Sequence, residues 1–179
     1  MIVFLVGGES RLMDALITKM EKDGHKTYLL TGKRDGREKY RRVFERYNFP
    51  YDSESVREIF TNVNPDLVIF LGAYDTNYDW SDARRESVRY TADLTNLLSA
   101  YAFKQNGRFV YLSSEVVYGR SYSSDIHETE PASSKSFQAM AILQGENICK
   151  SYRDTREMDT RVLRFDHMYD IPRKGKADN

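Results

Sequence analysis

The sequence contains one cysteine, four prolines and three histidines among its 179 residues. A single cysteine excludes an internal disulfide and fits a reducing compartment, so we predict a cytoplasmic protein. Cys149 lies in an apolar helical pattern, which favours a buried and inert thiol over a reactive one. His25, His127 and His167 are far apart, and no group of cysteines and histidines has metal-ligand spacing. We therefore predict no metal site.

An excess of charge of either sign is also missing. The chain has 27 lysines and arginines against 27 aspartates and glutamates, and its formal net charge at pH 7 is zero. Nothing therefore attracts the whole molecule to nucleic acid or to an anionic membrane, and we predict neither as a partner. No apolar run reaches the roughly 18 residues of a membrane span. The start, MIVFLVGG, has no basic region and no cleavage site, so we expect no signal peptide.

Short apolar runs alternate regularly with amphipathic segments along the chain. We predict strands at 2–6, 27–30, 67–71, 109–112 and 160–165, and helices at 10–23, 53–62, 81–104 and 135–152. The second half of the basic stretch 32–46 could form a further short helix. Strands that alternate with helices through short connections indicate a parallel sheet covered on both faces. Right-handed crossovers make it a doubly wound, Rossmann-like α/β fold with three layers, αβα. This domain is predicted to span 1–172, followed by a polar tail at 173–179.

One stretch, GRFVYLSSEVVYG at 107–119, places Ser113, Ser114 and Glu115 directly after a buried strand. Ligands of parallel sheets bind at the carboxyl ends of strands. The stretch resembles the one that carries the catalytic serine in the extended short-chain dehydrogenase/reductase family, the epimerases and dehydratases of nucleotide sugars. Ser114 takes the serine position. Glu115 sits where the dehydratase branch carries an acid.

A second part of the resemblance lies near the end, where Leu163-Arg164 and Met168 to Pro172 match the family's Leu-Arg and Tyr-Gly-Pro. In the family this loop leads into a C-terminal substrate domain. The resemblance therefore covers 1–172 and only the cofactor-binding part of the architecture. Either the natural protein continues or the sugar-binding half was lost, and the polar ending slightly favours the first.

The resemblance implies a pyrophosphate site at the first strand–turn–helix, where glycines let backbone amides approach the phosphates. The family pattern G-x-x-G-x-x-G falls on Gly7, Ser10 and Met13, so one of its three glycines is kept. Gly8 is an additional glycine. The residues that would hold the pyrophosphate are Gly7, Gly8, Ser10 and Arg11.

The resemblance also implies contacts to the nucleoside. The family ends its second strand with an acid that binds the ribose of NAD, but this chain has Thr31, followed by Lys33 and Arg34. Two cations at this point favour NADP; the alternative is a solvated basic loop. Asp52 takes one of two acid positions near the adenine. The small residues expected after the fourth strand are represented by Leu71, Gly72 and Ala73.

Family catalysis uses a tyrosine base whose pKa is lowered by a lysine four residues on. The helix that should carry this pair places Phe137 and Ala141 at the two positions. A one-residue slip anchored on Glu146 places Gln138 and Ile142 there instead. Neither alignment supplies a phenol or an ammonium.

We therefore predict an epimerase/dehydratase-like Rossmann domain that is catalytically inactive and binds a nucleotide, a nucleotide sugar or a protein. One alternative is an active NADP-dependent epimerase, dehydratase or reductase with a rewired site. Another is a structural domain that binds no nucleotide. The cofactor is accordingly NAD or NADP, with NADP slightly favoured, or none. The family's dimers pair two long helices from each subunit, so a homodimer through 81–104 and 135–152 is expected.

Overall fold

The computed structural model describes residues 1–32, 42–45, 53–104, 106–119 and 126–166. The strands are β1 (Ile2–Val6), β2 (Lys26–Thr31), β3 (Val43–Glu45), β4 (Leu67–Phe70), β5 (Arg108–Ser114) and β6 (Asp159–Phe165). The helices are α1 (Arg11–Lys22), α2 (Ser53–Val63), α3 (Ala83–Tyr101) and α4 (Phe137–Arg156). None of the helices in these ranges is both long and apolar enough to cross a membrane.

The described strands form one parallel sheet in the order β3-β2-β1-β4-β5-β6. From β1 the chain builds outward to β3 and then returns to the other side of β1, so the direction of winding reverses between β1 and β4. The crevice at the carboxyl ends of these two strands is where open α/β sheets bind ligands. The predicted doubly wound, Rossmann-like fold is confirmed.

Helices lie on both faces of the sheet, as the apolar strands require. Helix α1 covers one face and packs Met13 against Val3, Leu5 and Leu71. Helices α2, α3 and α4 cover the other face and enclose the larger core cluster. This arrangement gives the predicted three layers.

Helices α1 and α4 begin at serine caps. Ser10 Oγ accepts the backbone N–H of Met13 at 3.1 Å, and Ser136 Oγ accepts that of Ala139 at 3.1 Å. Each serine thereby satisfies an amide that has no partner within its own helix. The caps fix the residues at which α1 and α4 begin.

The structure corrects several predicted boundaries. Residues 43–45 form a strand, and not the predicted helix, because Val43 and Phe44 pair with β2 and suit a pleated, half-buried surface. Helix α3 begins at Ala83 after a 3-10 turn at Trp80–Asp82 and ends at Tyr101. Helix α4 runs four residues beyond the predicted 152. The predicted domain end at 172 and the tail lie outside the described residues.

Candidate functional site

The crevice at the switch point brings Gly7 and Leu71 together. A Cβ added to Gly7 would lie 2.7 Å from Leu71 Cδ1, so only glycine allows this approach of the turn to the end of β4. Leu71 is fully buried. Two residues predicted separately as cofactor contacts are therefore in contact with each other.

The turn after β1 is covered by the chain itself. The backbone N–H of Gly8 donates to Asp75 Oδ1 at 2.7 Å, and the N–H of Asn77 donates to the same oxygen at 2.9 Å. Thr76 Oγ1 donates to the carbonyl of Glu9 at 2.9 Å. A Cβ on Gly8 would lie 2.2 Å from Thr76 Oγ1. We call Asp75, Thr76 and Asn77 the covering segment.

The sequence gives no specific indication of the covering segment. Asp75 is 3% exposed, so its carboxylate is buried against the glycine turn. The one local signal was an acid placed shortly after the end of an apolar strand. No sequence pattern connects it with Gly8, which is 67 residues away.

The residues that replace the family's second and third glycines have structural roles. Ser10 is the cap of α1, and Met13 is fully buried between α1 and the sheet. Met13 is therefore a core residue and does not fill the glycine turn. Arg11 is the first residue of α1 and is exposed.

The remaining predicted cofactor residues are divided between the core and the crevice. Thr31 is fully buried at the end of β2. Gly72 has φ of +54°, and a Cβ there would lie 2.1 Å from the carbonyl oxygen of Leu112, so this position requires glycine. Ala73 is half-buried. Lys33, Arg34 and Asp52 lie outside the described residues.

Ser114 lies at the end of β5, is 5% exposed and is held by its neighbours. Its hydroxyl donates to Glu115 Oε2 at 2.5 Å and accepts the backbone N–H of Val116 at 3.4 Å. The phenol of Tyr74 interacts with Ser114 and donates to the carbonyl of Phe165 at 3.0 Å. Burial raises the pKa of Tyr74, although its hydrogen bond with Ser114 opposes this. A phenol with a raised pKa is a poor base at neutral pH.

Gln138, Ile142 and Glu146 share one face of helix α4, at the i, i+4 and i+8 spacing. Gln138 lines a cleft with Val116 and Gly119. Ile142 is fully buried, and Glu146 Oε1 accepts the hydroxyl of Ser113 at 2.5 Å.

Phe137 and Ala141 line a different surface. Phe137 is 51% exposed, and both residues border a groove between α3 and α4. Ala141 itself is only 4% exposed and belongs to the core cluster that contains Tyr111 of β5, so Ala141 and Ile142, the second positions of the two alignments, are both buried. Both alignments, Phe137 with Ala141 and Gln138 with Ile142, stay predictions, and neither supplies a phenol or an ammonium.

Glu146 also forms an ion pair with Arg164 of β6. Its Oε1 and Oε2 lie 2.8 and 2.6 Å from Nε and Nη2 of Arg164, and the guanidinium packs over the Tyr118 ring at 4.8 Å. Hydrogen bonding to Glu146 raises the pKa of Arg164 further. The polar groups beside Ser113 thus satisfy one another. Within the described ranges, no three metal-ligating side chains are grouped to hold a metal ion.

A family model for the NAD dependent epimerase/dehydratase family matches residues 3–173. The chain belongs to this family. A comparison with curated proteins gives no match. The residues that first suggested the family, around Ser114 and Arg164, fall within the matched range.

Solved structures of the epimerase/dehydratase type share the fold at low sequence identity. UDP-glucose 4-epimerase from Brucella ovis, solved with NAD, has a TM-score of 0.77 and 16% identity over 91% of this chain and 51% of its own. The corresponding enzyme from Thermus thermophilus, also with NAD, has a TM-score of 0.78 and 20% identity over 92% and 54%. DesIV, a dTDP-glucose 4,6-dehydratase from Streptomyces venezuelae, has a TM-score of 0.76 and 17% identity over 92% and 55%. The chain spans about half the length of these proteins.

Proposed function

We propose that this epimerase/dehydratase family member has lost the acid–base chemistry and acts by binding, as a nucleotide-binding or protein-interaction domain. The observation that carries the proposal concerns helix α4. There the positions of the tyrosine and the lysine hold Phe137 and Ala141 or, one residue further on, Gln138 and Ile142, and both Ala141 and Ile142 are buried.

The groups at these positions cannot replace the missing base. An amide such as Gln138 does not titrate at neutral pH, and Ile142 carries no charge to lower a neighbour's pKa. The phenol near Ser114, Tyr74, has its pKa raised by burial. Loss of a positioned acid or base lowers the rate of the catalysed reaction by about 10²–10⁴-fold.

The fit of a dinucleotide to the crevice is uneven. Gly7 suits it, because the bare Cα lets the turn come close to β4. The covering segment does not suit it, because Asp75 already takes the amide of Gly8. NAD is the first cofactor to test, because it is present in the structures of the Brucella and Thermus neighbours. The preference for NADP rests on Lys33 and Arg34 and remains a proposal, as does a nucleotide-sugar ligand such as the UDP-glucose of a Thermotoga maritima neighbour.

A surface between α3 and α4 supports the protein-interaction part of the proposal. The groove has a volume of about 710 Å³, and all ten residues that line it are uncharged. Val88 and Met140 expose 71% and 55% of their surface there. In a chain of which 30% is charged, such a surface is typical of an interface. A second copy of this chain would cover it symmetrically, which is the commonest oligomer geometry.

Two measurements test the loss of chemistry. The first follows NADH or NADPH absorbance and sugar products after mixing the protein with either cofactor and UDP-glucose or dTDP-glucose. We expect no conversion above the protein-free control. Conversion that disappears in Ser114→Ala would overturn the proposal.

The second measurement needs no substrate. Ultraviolet absorbance titration reports tyrosinate, and we expect almost none below a pH of about 8, because ordinary tyrosines titrate near 10. An ionisation step between about pH 6 and 8 that is absent in Tyr74→Phe would show that the pKa of Tyr74 is lowered as in a catalytic base, and it would contradict an inactive site.

A further inference from the structure

We infer that Asp75 is a fixed carboxylate at the place where the glycine turn would receive a diphosphate, and that it makes this domain select against diphosphate-containing nucleotides. This inference does not depend on whether the acid–base chemistry is lost. It concerns the amide of Gly8 and the charge that now lies against it.

Backbone amides at such a turn bind phosphate because they are donors aimed at one point near the start of a helix. In this chain the N–H groups of Gly8 and Asn77 both point at Asp75 Oδ1, at 2.7 and 2.9 Å. One oxygen of the Asp75 carboxylate thus accepts hydrogen bonds from two backbone amides. With 3% of Asp75 exposed, water screens its charge poorly, so a phosphate brought to this turn would meet a strong repulsion.

The covering segment is held from both sides. Thr76 ties it to the carbonyl of Glu9 on the glycine turn. On the other side, Arg89 of α3 donates to the carbonyl of Asn77 at 2.5 Å and pairs with the buried Glu86 at 3.2 Å. A nucleotide that displaced the segment would break these contacts.

The next residues of the loop are also anchored to α3. The phenol of Tyr78 donates to Asp93 Oδ2 at 2.8 Å, and Asp93 is fully buried. The guanidinium of Arg89 lies 4.9 Å from the centre of the Tyr78 ring. Asp75 therefore sits at the start of a loop that is attached along its length. We expect the carboxylate to stay in place when a ligand approaches.

Replacing Asp75 by asparagine separates charge from shape. The asparagine carbonyl oxygen can accept the same two N–H bonds, so the covering segment should keep its conformation while the negative charge is removed. Asp79, an acid of the same loop that accepts the N–H of Ser81, provides the matched control, Asp79→Asn.

The test is isothermal titration of the wild-type protein, Asp75→Asn and Asp79→Asn with ADP, NADH and adenosine. We expect Asp75→Asn to bind ADP and NADH about tenfold tighter than wild type or better, with adenosine affinity unchanged. Asp79→Asn should stay within about twofold of wild type. Equal ADP affinities of wild type and Asp75→Asn would overturn the inference, as would a gain for adenosine that matches the gain for ADP. No ADP binding by either protein at about 10 mM would also overturn it.

A second variant distinguishes the effect of the Asp75 charge from steric coverage of the glycine turn by the covering segment. Thr76→Val removes the hydroxyl that bonds Glu9 and keeps the Asp75 charge. We expect it to leave ADP affinity within about twofold of wild type. A gain as large as that of Asp75→Asn would mean that the segment acts as a steric cover, which contradicts the role of the charge. Circular dichroism checks that each variant is folded, and Asp75→Ser replaces Asp75→Asn if that variant unfolds.

Discussion

Glu146 and Arg164 face each other across the contact between α4 and β6, with both carboxylate oxygens engaged by the guanidinium at 2.8 and 2.6 Å. The same carboxylate accepts the hydroxyl of Ser113 on β5. One side chain thereby connects a helix with two adjacent strands. It also fixes which residues of α4 are directed at the sheet.

Replacing Glu146 by alanine should lower the free energy of unfolding by about 2 kcal/mol. The change leaves Arg164 partly buried without its counter-ion, and the side chains of the pair are 11% and 25% exposed, so the cost is below that of a fully buried pair. Urea unfolding measures it. Asp154→Ala, which breaks the half-exposed pair with Arg153, is the control and should cost less than about 0.5 kcal/mol. Equal losses in the two variants would contradict this role for Glu146.

Gly145→Ala should destabilise the protein by about 1–3 kcal/mol, although alanine normally favours a helix. The added Cβ would lie 2.6 Å from the hydroxyl of Tyr111, which donates to the carbonyl of Ile142 and bonds Tyr90. Removing that hydroxyl takes away the nearest atom and reduces the clash, while Tyr111 Cζ at 2.8 Å and Leu94 Cδ2 at 2.9 Å stay close to the added Cβ. In a double-mutant cycle with Tyr111→Phe, measured by urea unfolding, Gly145→Ala should therefore cost at least about 1 kcal/mol less than in wild type. Additive losses would mean that the clash is absorbed elsewhere.

The wild-type protein should be a dimer in analytical ultracentrifugation at tens of micromolar, an order-of-magnitude choice for a modest interface. Met140→Glu places a charge in the uncharged groove and should give a monomer. Ile126→Glu changes an exposed apolar residue outside both helices of the predicted interface and should leave the dimer intact. A monomeric wild type would remove the prediction, as would dissociation by Ile126→Glu alone.

Cys149 should not react with a thiol reagent in the folded protein at pH 8. The side chain is fully buried, and burial raises its pKa to about 12, so neither access nor a thiolate is available. Adding denaturant should expose it and release one equivalent of product. Fast reaction of the native protein would show that α4 opens readily near this position.

Asp159 should make a small pH-dependent contribution to stability. Hydrogen bonding to Arg108 holds the pKa of Asp159 below its usual value, and Arg161 adds to this. Because the pKa is lower in the folded state, the ionised carboxylate stabilises the protein at pH values above about 3.9, the pKa of an aspartate in the unfolded chain. This stabilisation is lost as the pH falls through the pKa of Asp159 in the folded state. Because the pair is largely exposed, Asp159→Asn should cost less than about 1 kcal/mol at pH 7 and nothing near pH 2, by urea unfolding. A cost independent of pH would contradict the electrostatic cause.

The fold was predictable because its signals are local. The apolar runs of β1, β4 and β5 and the periodic faces of α1 and α3 depend on neighbouring residues, and the family resemblance around Ser114 agreed with them. Strand β3 was missed because three residues within a basic stretch become a strand through pairing with β2. The contact between Asp75 and Gly8 joins residues that are 67 positions apart, so no local sequence pattern indicates it.

The central position of β1 has a consequence for synthesis on the ribosome. This strand pairs with β2 on one side and with β4 on the other, so its second neighbour is complete only when residue 70 has been made. Until then the apolar β1 has an open edge, which is a site for mispairing with other chains. Since pairing of distant parallel strands is slow, we expect the emerging chain to be most in need of chaperones before β4 leaves the ribosome.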